Sequence, residues 1–266
     1  RRWLAALELF GEMQLHALRP DVASYNSLIS TCNKGQEWAR ALLFLPAMER
    51  HGPKPTGVTY NATISACATG RQWALALVRL GQMRRCRARV NAITYNASIS
   101  ACAAGHQWML ALSLASEMRQ SLLAANGVTY GALISACEKG LQWMVACQLI
   151  ADMEERLAPD LVAHSSAISA CGKSHRWEQA LALFAHMRGV RLRPGLAACN
   201  ALAGAFDRAE RWALAFGLLE EMSEAALEPD VLTFNAAVSA CGSGGPWREA
   251  LGLVEGMRRR HTAPNA

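Results

Sequence analysis

Tryptophan recurs along this chain at a fixed interval, and that interval limits the fold more than any other feature. The eight tryptophans are Trp3, Trp38, Trp73, Trp108, Trp143, Trp177, Trp212 and Trp247, spaced by 35 residues except for one step of 34. Eight methionines keep the same beat: Met13, Met48, Met83, Met118, Met153, Met187, Met222 and Met257. So do Cys32, Cys67, Cys102, Cys137, Cys171 and Cys241, with Phe206 in the missing slot. A fixed period of this length is the mark of a repeat architecture.

Each unit reads as two helices. In Val58–Gly70, the residues Tyr60, Ile64, Cys67 and Ala68 form one apolar face at helical spacing, and Gly70 is a stop signal. From Gln72 to Cys86, the residues Trp73, Ala76, Leu77, Leu80 and Met83 form a second stripe. A turn follows, with proline at Pro20, Pro55, Pro159, Pro194, Pro229 and Pro264, where the missing N–H and the ring clash end a helix. A lone hairpin cannot bury both stripes, so the units must stack into a quasi-one-dimensional solenoid. The predicted fold is all-α. Its parts are a partial repeat at 1–21, comprising a second helix and turn, and seven repeats at 22–56, 57–91, 92–126, 127–160, 161–195, 196–230 and 231–265. The chain starts in mid-repeat without a polar capping helix, so the reading expects an excerpt of a longer array, with any targeting peptide upstream.

Composition narrows the partners. The net charge is +6, which favours an anionic partner without deciding on one. Mean hydropathy is +0.08, yet no run of about 18 uncharged apolar residues is present, so a membrane span is not expected. Nine cysteines without a Cys-x-x-Cys pair point to a reducing compartment and away from zinc. Equivalent helices lie about 8–10 Å apart or more, too far for disulfides, whose Cα atoms stand within about 7 Å. The cysteine ladder is therefore read as buried thiols. Cys86, Cys147 and Cys199 are off register and have no visible role. The tryptophans and methionines are read as packing residues, with base stacking the alternative for tryptophan. Basic clusters at Arg84, Arg85, Arg87 and Arg89, at Arg188, Arg191 and Arg193, and at Arg258–Arg260 suit helix C-termini, with phosphate contact the alternative. His106, His164 and His175 have no partner at ligand spacing and are read as surface or packing residues.

One polar position resists a packing explanation. Immediately after the first-helix aromatic stand Asn26, Asn61, Asn96, Asn200 and Asn235, with Gly131 and Ser165 as exceptions. Asparagine is a poor helix former. Helix capping is one reading, although Ser24, Thr59, Thr94, Thr129 and Thr233 stand two residues earlier as cap candidates. The other is recognition: a short amide arm, repeated along a groove, can read the edges of splayed bases. A second polar place closes each repeat at Asp21, Thr56, Asn91, Asn126, Asp160, Gly195, Asp230 and Asn265. It suits either capping or recognition.

The units VTYNATISAC, ITYNASISAC and VLTFNAAVSAC, followed by a Trp-led helix ending in methionine and by Pro-Asp, resemble pentatricopeptide repeats of the P-type across essentially the whole chain. The Gly-x-x-Trp variant is similar to the form in algal organelle proteins. The resemblance implies a right-handed α-solenoid superhelix of antiparallel helix-turn-helix repeats that binds single-stranded RNA, one base per repeat. It implies that the post-aromatic residue and the closing residue of each repeat choose the base. Asn26 with Thr56 then suggests a pyrimidine, while Asn61 with Asn91 and Asn96 with Asn126 suggest C. Gly131 with Asp160 gives a weak G, and Ser165 with Gly195 a weak purine. Asn200 with Asp230 suggests U, and Asn235 with Asn265 suggests C or U. The implied pyrimidine-rich site is 5′-YCC(G)(R)UY-3′. Val58, Ile93, Val128, Val162 and Leu232 would clamp bases between repeats.

The same resemblance implies a mitochondrial or chloroplast location, and roles in RNA processing, stability, splicing or translation beside other RNA-processing proteins. Departures from the pattern are His164 and Cys199 in the aromatic slot, the shortened fourth repeat, and Pro46, which is expected to interrupt a second helix. An enzyme is not expected, because no deaminase motif, acidic metal cluster or nucleophile constellation is present, and no cofactor or metal is called for. The competing reading is a protein-binding solenoid scaffold.

Overall fold

The computed structural model describes residues 2–242 apart from 17, 52 and 159. Asn265, Trp247, Met257, Pro159, Pro264 and the Arg258–Arg260 cluster lie outside the described residues. Fourteen α-helices alternate among the described residues, and no strand occurs there. The second-helix type is α1 (Arg2–Leu15), α3 (Trp38–His51), α5 (Trp73–Arg85), α7 (Trp108–Gln120), α9 (Trp143–Glu154), α11 (Trp177–Gly189) and α13 (Trp212–Glu224). The first-helix type is α2 (Val22–Lys34), α4 (Gly57–Thr69), α6 (Ala92–Ala104), α8 (Gly127–Lys139), α10 (Leu161–Lys173), α12 (Leu196–Arg208) and α14 (Val231–Cys241).

The chain divides into two compact units, Arg1–Ala136 and Cys137–Ala266. In the first, α2, α4 and α6 pack side by side as one layer, and α3 and α5 each bridge two of its members. In the second, α10, α12 and α14 form the layer, bridged by α11 and α13. Each unit is a helical-repeat solenoid.

The core follows from the stripes. On first helices Tyr60, Ile64 and Cys67 are fully buried, as are Tyr95, Ile99 and Cys102. Second helices contribute Ala76, Leu80 and Met83, and in the next repeat Ala111, Leu114 and Met118. Pro46 does not interrupt its helix: α3 runs through it. One N–H is lost there, but Leu45 and Met48, both fully buried, hold the turns on either side, so packing outweighs the local cost.

The glycine that ends most first helices acts through space, not through a special backbone angle. Gly70 and Gly105 have φ of −82° and −90°. A Cβ on Gly35 would stand 2.5 Å from the Trp3 ring, and those on Gly70 and Gly105 would collide with Trp38 and Trp73. Each half-buried tryptophan thus lies against the helix end of the next repeat. The left-handed residue comes one place later, at Gln36, Arg71, His106, Leu141, His175 and Glu210 (φ 56–62°). There the following N–H closes on the helix, as in Gln72 N to Cys67 O at 2.8 Å. Substituting His106→Gly removes a left-handed penalty and is expected to raise stability by roughly 0.5–1 kcal/mol. Urea unfolding checks it.

The cysteine ladder is buried, and burial pushes Cys67, Cys102 and Cys137 up to about 11. Neutral, inaccessible thiols do not alkylate. Cys86 is exposed. Iodoacetamide at about pH 8 is therefore expected to label Cys86 well ahead of these three thiols, which react only after denaturation. Peptide mapping by mass spectrometry reads the order.

Candidate nucleic-acid interface

The two polar ladders are physically one. In α6, Asn91 is the N-cap: its Oδ1 accepts from Thr94 N (3.1 Å) and Thr94 Oγ1 (3.0 Å). The single hydroxyl proton of Thr94 is shared with Asn61 Oδ1, which lies 2.7 Å away. The post-aromatic Asn61 and the closing Asn91 of one repeat are therefore tied through a buried threonine of the next. The motif recurs with Asn96, Thr129 and Asn126, where Thr129 Oγ1 to Asn96 Oδ1 is 2.7 Å and Asn96 Nδ2 donates to Asn126 Oδ1 at 3.3 Å. It recurs again with Asn200, Thr233 and Asp230, where Asn200 Nδ2 donates to Asp230 Oδ2 at 2.9 Å and Thr233 Oγ1 to Asn200 Oδ1 at 2.5 Å.

This corrects the assignment of the caps. Thr59, Thr94, Thr129 and Thr233 are buried N3 residues, and the closing residues Asp21, Thr56, Asn91, Asn126, Asp160 and Asp230 stand at the cap position, all but Thr56 accepting a backbone N–H there. Capping and presentation at the surface are done by the same side chains. Burial works to raise the Asp230 carboxyl, but bonds from the Thr233 N–H, the Asn200 amide and the Thr233 hydroxyl outweigh it and hold it below the ordinary carboxylate value. Its ionised, hydrogen-bond-accepting form is thereby favoured.

The weaker positions are weaker for visible reasons. Thr56 offers only a hydroxyl, and Asn26 Oδ1 is left buried without a partner. Asp160 caps Val162 N instead of N3, and N3 there is Ala163, which has no hydroxyl to link it to the repeat before. Gly195 has no side chain to offer, and Ser165 turns its hydroxyl back to Leu161 O at 2.8 Å. Gly131 presents no group at all. Asn235 is half-buried on α14.

Beside the polar positions, first helices of both units carry an exposed apolar residue that the core does not use. Val58, Ile93, Val128, Val162 and Leu232 are 63%, 65%, 64%, 68% and 64% exposed. Each lies three residues before the post-aromatic position, hence on the same helix face. Ala23 and Ala197 hold the same register, where the small side chain hides the signal in the sequence. Between α10 and α12 this surface forms a cleft of about 450 Å³ lined by Val162, Ser165, Ala197, Asn200 and Arg208, among others.

Arg208 shares its place on the helix with other cations. The last residues of α2, α8, α10 and α12 are Lys34, Lys139, Lys173 and Arg208, all exposed. Lys139, Lys173 and Arg208 keep the repeat register in the sequence, with one step of 34. Lys173 pairs with Glu138 at 2.9 Å. Among those clusters, Arg84 is committed to Glu117 at 2.8 Å.

The family model for the pentatricopeptide repeat domain matches residues 8–70, 43–105, 80–140, 113–174 and 182–244. A second repeat model matches 162–192 and 232–261. No curated protein matches the chain in sequence. Among solved structures, pentatricopeptide repeat protein PPR10 in complex with an 18-nt psaJ RNA element superposes with a TM-score of 0.86 at 20% identity, covering 99% of this chain and 39% of that one. PPR10 from maize gives 0.73 at 23% identity, over 92% and 35%. The nuclear protein-only RNase P 2 of Arabidopsis thaliana gives 0.58 at 13% identity, over 77% and 49%. At such identities the likeness is one of fold, and this chain spans about two fifths of PPR10.

Proposed function

This chain belongs to the pentatricopeptide repeat family, and we propose that it binds single-stranded RNA on its first-helix face, reading one base per repeat. The observation that carries the proposal is the pairing, in three repeats, of an exposed aliphatic residue with a pre-oriented amide one helical turn away. A base is a flat apolar disc with hydrogen-bonding edges. Val58 and Ile93, or Val162 and Ala197, give the disc an apolar seat. Asn61 with Asn91, Asn96 with Asn126, and Asn200 with Asp230 face its edge. The amides lose little freedom on binding because Thr94, Thr129 and Thr233 already hold them.

Lys34, Lys139 and Arg208 suit the phosphates, and Lys173 joins them by exchanging Glu138 for a phosphate. Four such contacts predict a salt dependence with a slope of about 2–3 in log Kd against log salt. The site proposed is 5′-YCC(G)(R)UY-3′, and by family the setting is RNA processing, stability, splicing or translation in a mitochondrion or chloroplast.

A gel-shift titration tests this with 5′-UCCGAUC-3′ against its complement at two salt concentrations. Preference for the first strand supports base reading. Equal, salt-sensitive binding to both reduces the activity to electrostatic RNA binding. No binding even at low salt overturns the proposal in favour of a protein scaffold.

A further inference from the structure

The aromatic slot of the fifth repeat is filled by His164, and its surroundings differ from those of equivalent slots. Eleven residues before Tyr95 stands Arg84 and 22 after it Glu117; they pair at 2.8 Å, and Arg84 Nη2 donates to the Tyr95 hydroxyl at 3.3 Å. In the same registers around Cys199, Arg188 pairs with Glu221. Around His164 those places are held by Glu154 and His186, with Glu154 ten residues before because the turn is one residue short. The intersection that holds a cation and an anion around Tyr95 and Cys199 holds here one carboxylate and two imidazoles. The separation in sequence explains why His164 showed no ligand partner there: Glu154 and His186 come from the end of α9 and from α11.

The geometry is convergent. His164 Nε2 lies 2.9 Å from Glu154 Oε1. His186 Nε2 lies 2.9 Å from Glu154 Oε2 and 3.1 Å from Oε1. All three ligand atoms fall within 4.8 Å of one another. The His164 side chain is fully buried, Glu154 is 20% exposed and His186 47%, so one side opens to water. His164 Nδ1 lies 2.8 Å from the Asp160 carbonyl oxygen, which only accepts, so Nδ1 carries the proton. Nε2 faces the Glu154 carboxylate, and that contact takes a positive charge between its two atoms, either a proton or a metal ion.

We propose that Glu154, His164 and His186 form a structural binding site for a divalent transition metal of the zinc class. Two imidazoles and a carboxylate, with water as fourth ligand, match such an ion. Magnesium and calcium prefer oxygen donors throughout. The Nδ1–H to backbone carbonyl bond is the outer-shell contact that orients a ligating histidine. With metal–nitrogen bonds near 2.1 Å, tetrahedral ligands stand about 3.4 Å apart, so each histidine–carboxylate contact opens by about half an ångström, and the two imidazole nitrogens already stand within 4.8 Å of each other. The ion ties α9, α10 and α11 together across the shortened turn, where the repeat lacks its aromatic residue.

Cobalt(II) titration of the purified chain, followed by visible absorption and zinc competition, tests this. One equivalent is expected to produce tetrahedral d–d bands without a sulfur charge-transfer band, and one equivalent of zinc to remove them. Two single variants, His186→Ala on the surface and Glu154→Gln, are each expected to lose the bands while keeping the parental circular dichroism. Zinc is expected to raise the Tm of the parent and not of His186→Ala. Absence of the bands, a dominant cysteine signature, or bands that survive both variants overturns the proposal.

Discussion

Replacing Asn61 and Asn96 by alanine together is expected to weaken binding to 5′-UCCGAUC-3′ about 30-fold, taking each lost base contact at about 1 kcal/mol. The fold should survive. Thr94 and Thr129 each lose one acceptor, but their hydroxyls retain Asn91 Oδ1 and Asn126 Oδ1 at 3.0 Å, so neither is left buried and unsatisfied. The caps of α6 and α8 stay intact. A drop in affinity can therefore be assigned to the surface and not to unfolding, which circular dichroism checks directly. The partner experiment changes specificity: with Asn91→Asp and Asn126→Asp, preference at the second and third bases is expected to move from C to U. Aspartate already does the same capping at Asp230, with Asn200 beside it. Competition gel shifts with C-to-U substituted RNAs read the change. An alanine variant that binds as tightly as the parent would sink the base-reading role of this ladder.

The repeat and its two helices were legible because period and stripe are properties of residue type alone. Tyr60, Ile64, Cys67 and Met83 are buried where helical spacing puts them. The polar face was legible as a register but not as a mechanism. Asn61, Thr94 and Asn91 lie up to 33 residues apart, so their union depends on how neighbouring repeats pack. Taking the threonines as caps followed from the same limit, since a Ser or Thr near a helix start fits N-cap and N3 equally well until the backbone is known. His164 shows the limit again. Its partners are set by the stacking of α9 and α11, and nothing local distinguishes it from a packing histidine.

The tryptophan beat shows how a packing rule can be hidden inside a turn signal. Gly105 reads as a helix stop, and a stop needs glycine only where φ is positive. At φ −90° alanine is allowed, so on backbone grounds Gly105→Ala should stabilise by cutting the freedom of the unfolded chain. The Trp73 ring decides otherwise, because the added methyl group would enter it. Overpacking of this kind costs about 1–3 kcal/mol, and Gly105→Ala is expected to fall in that range. Two natural repeats mark how far the site can adapt. Ser174 and Ala209 occupy this register after α10 and α12, and Arg176 and Arg211 lie over Trp143 and Trp177 at 5.5 Å and 5.0 Å. Those rings are accommodated beside a Cβ, so the cost at Gly105 is that of displacing a ring seated without one. A double-mutant cycle separates the two terms. Trp73→Leu removes the obstruction, and Gly105→Ala in that background is expected to be neutral or slightly stabilising in urea unfolding. If the alanine costs as much beside leucine as beside tryptophan, the glycine is there for its backbone, and the ring contact is incidental.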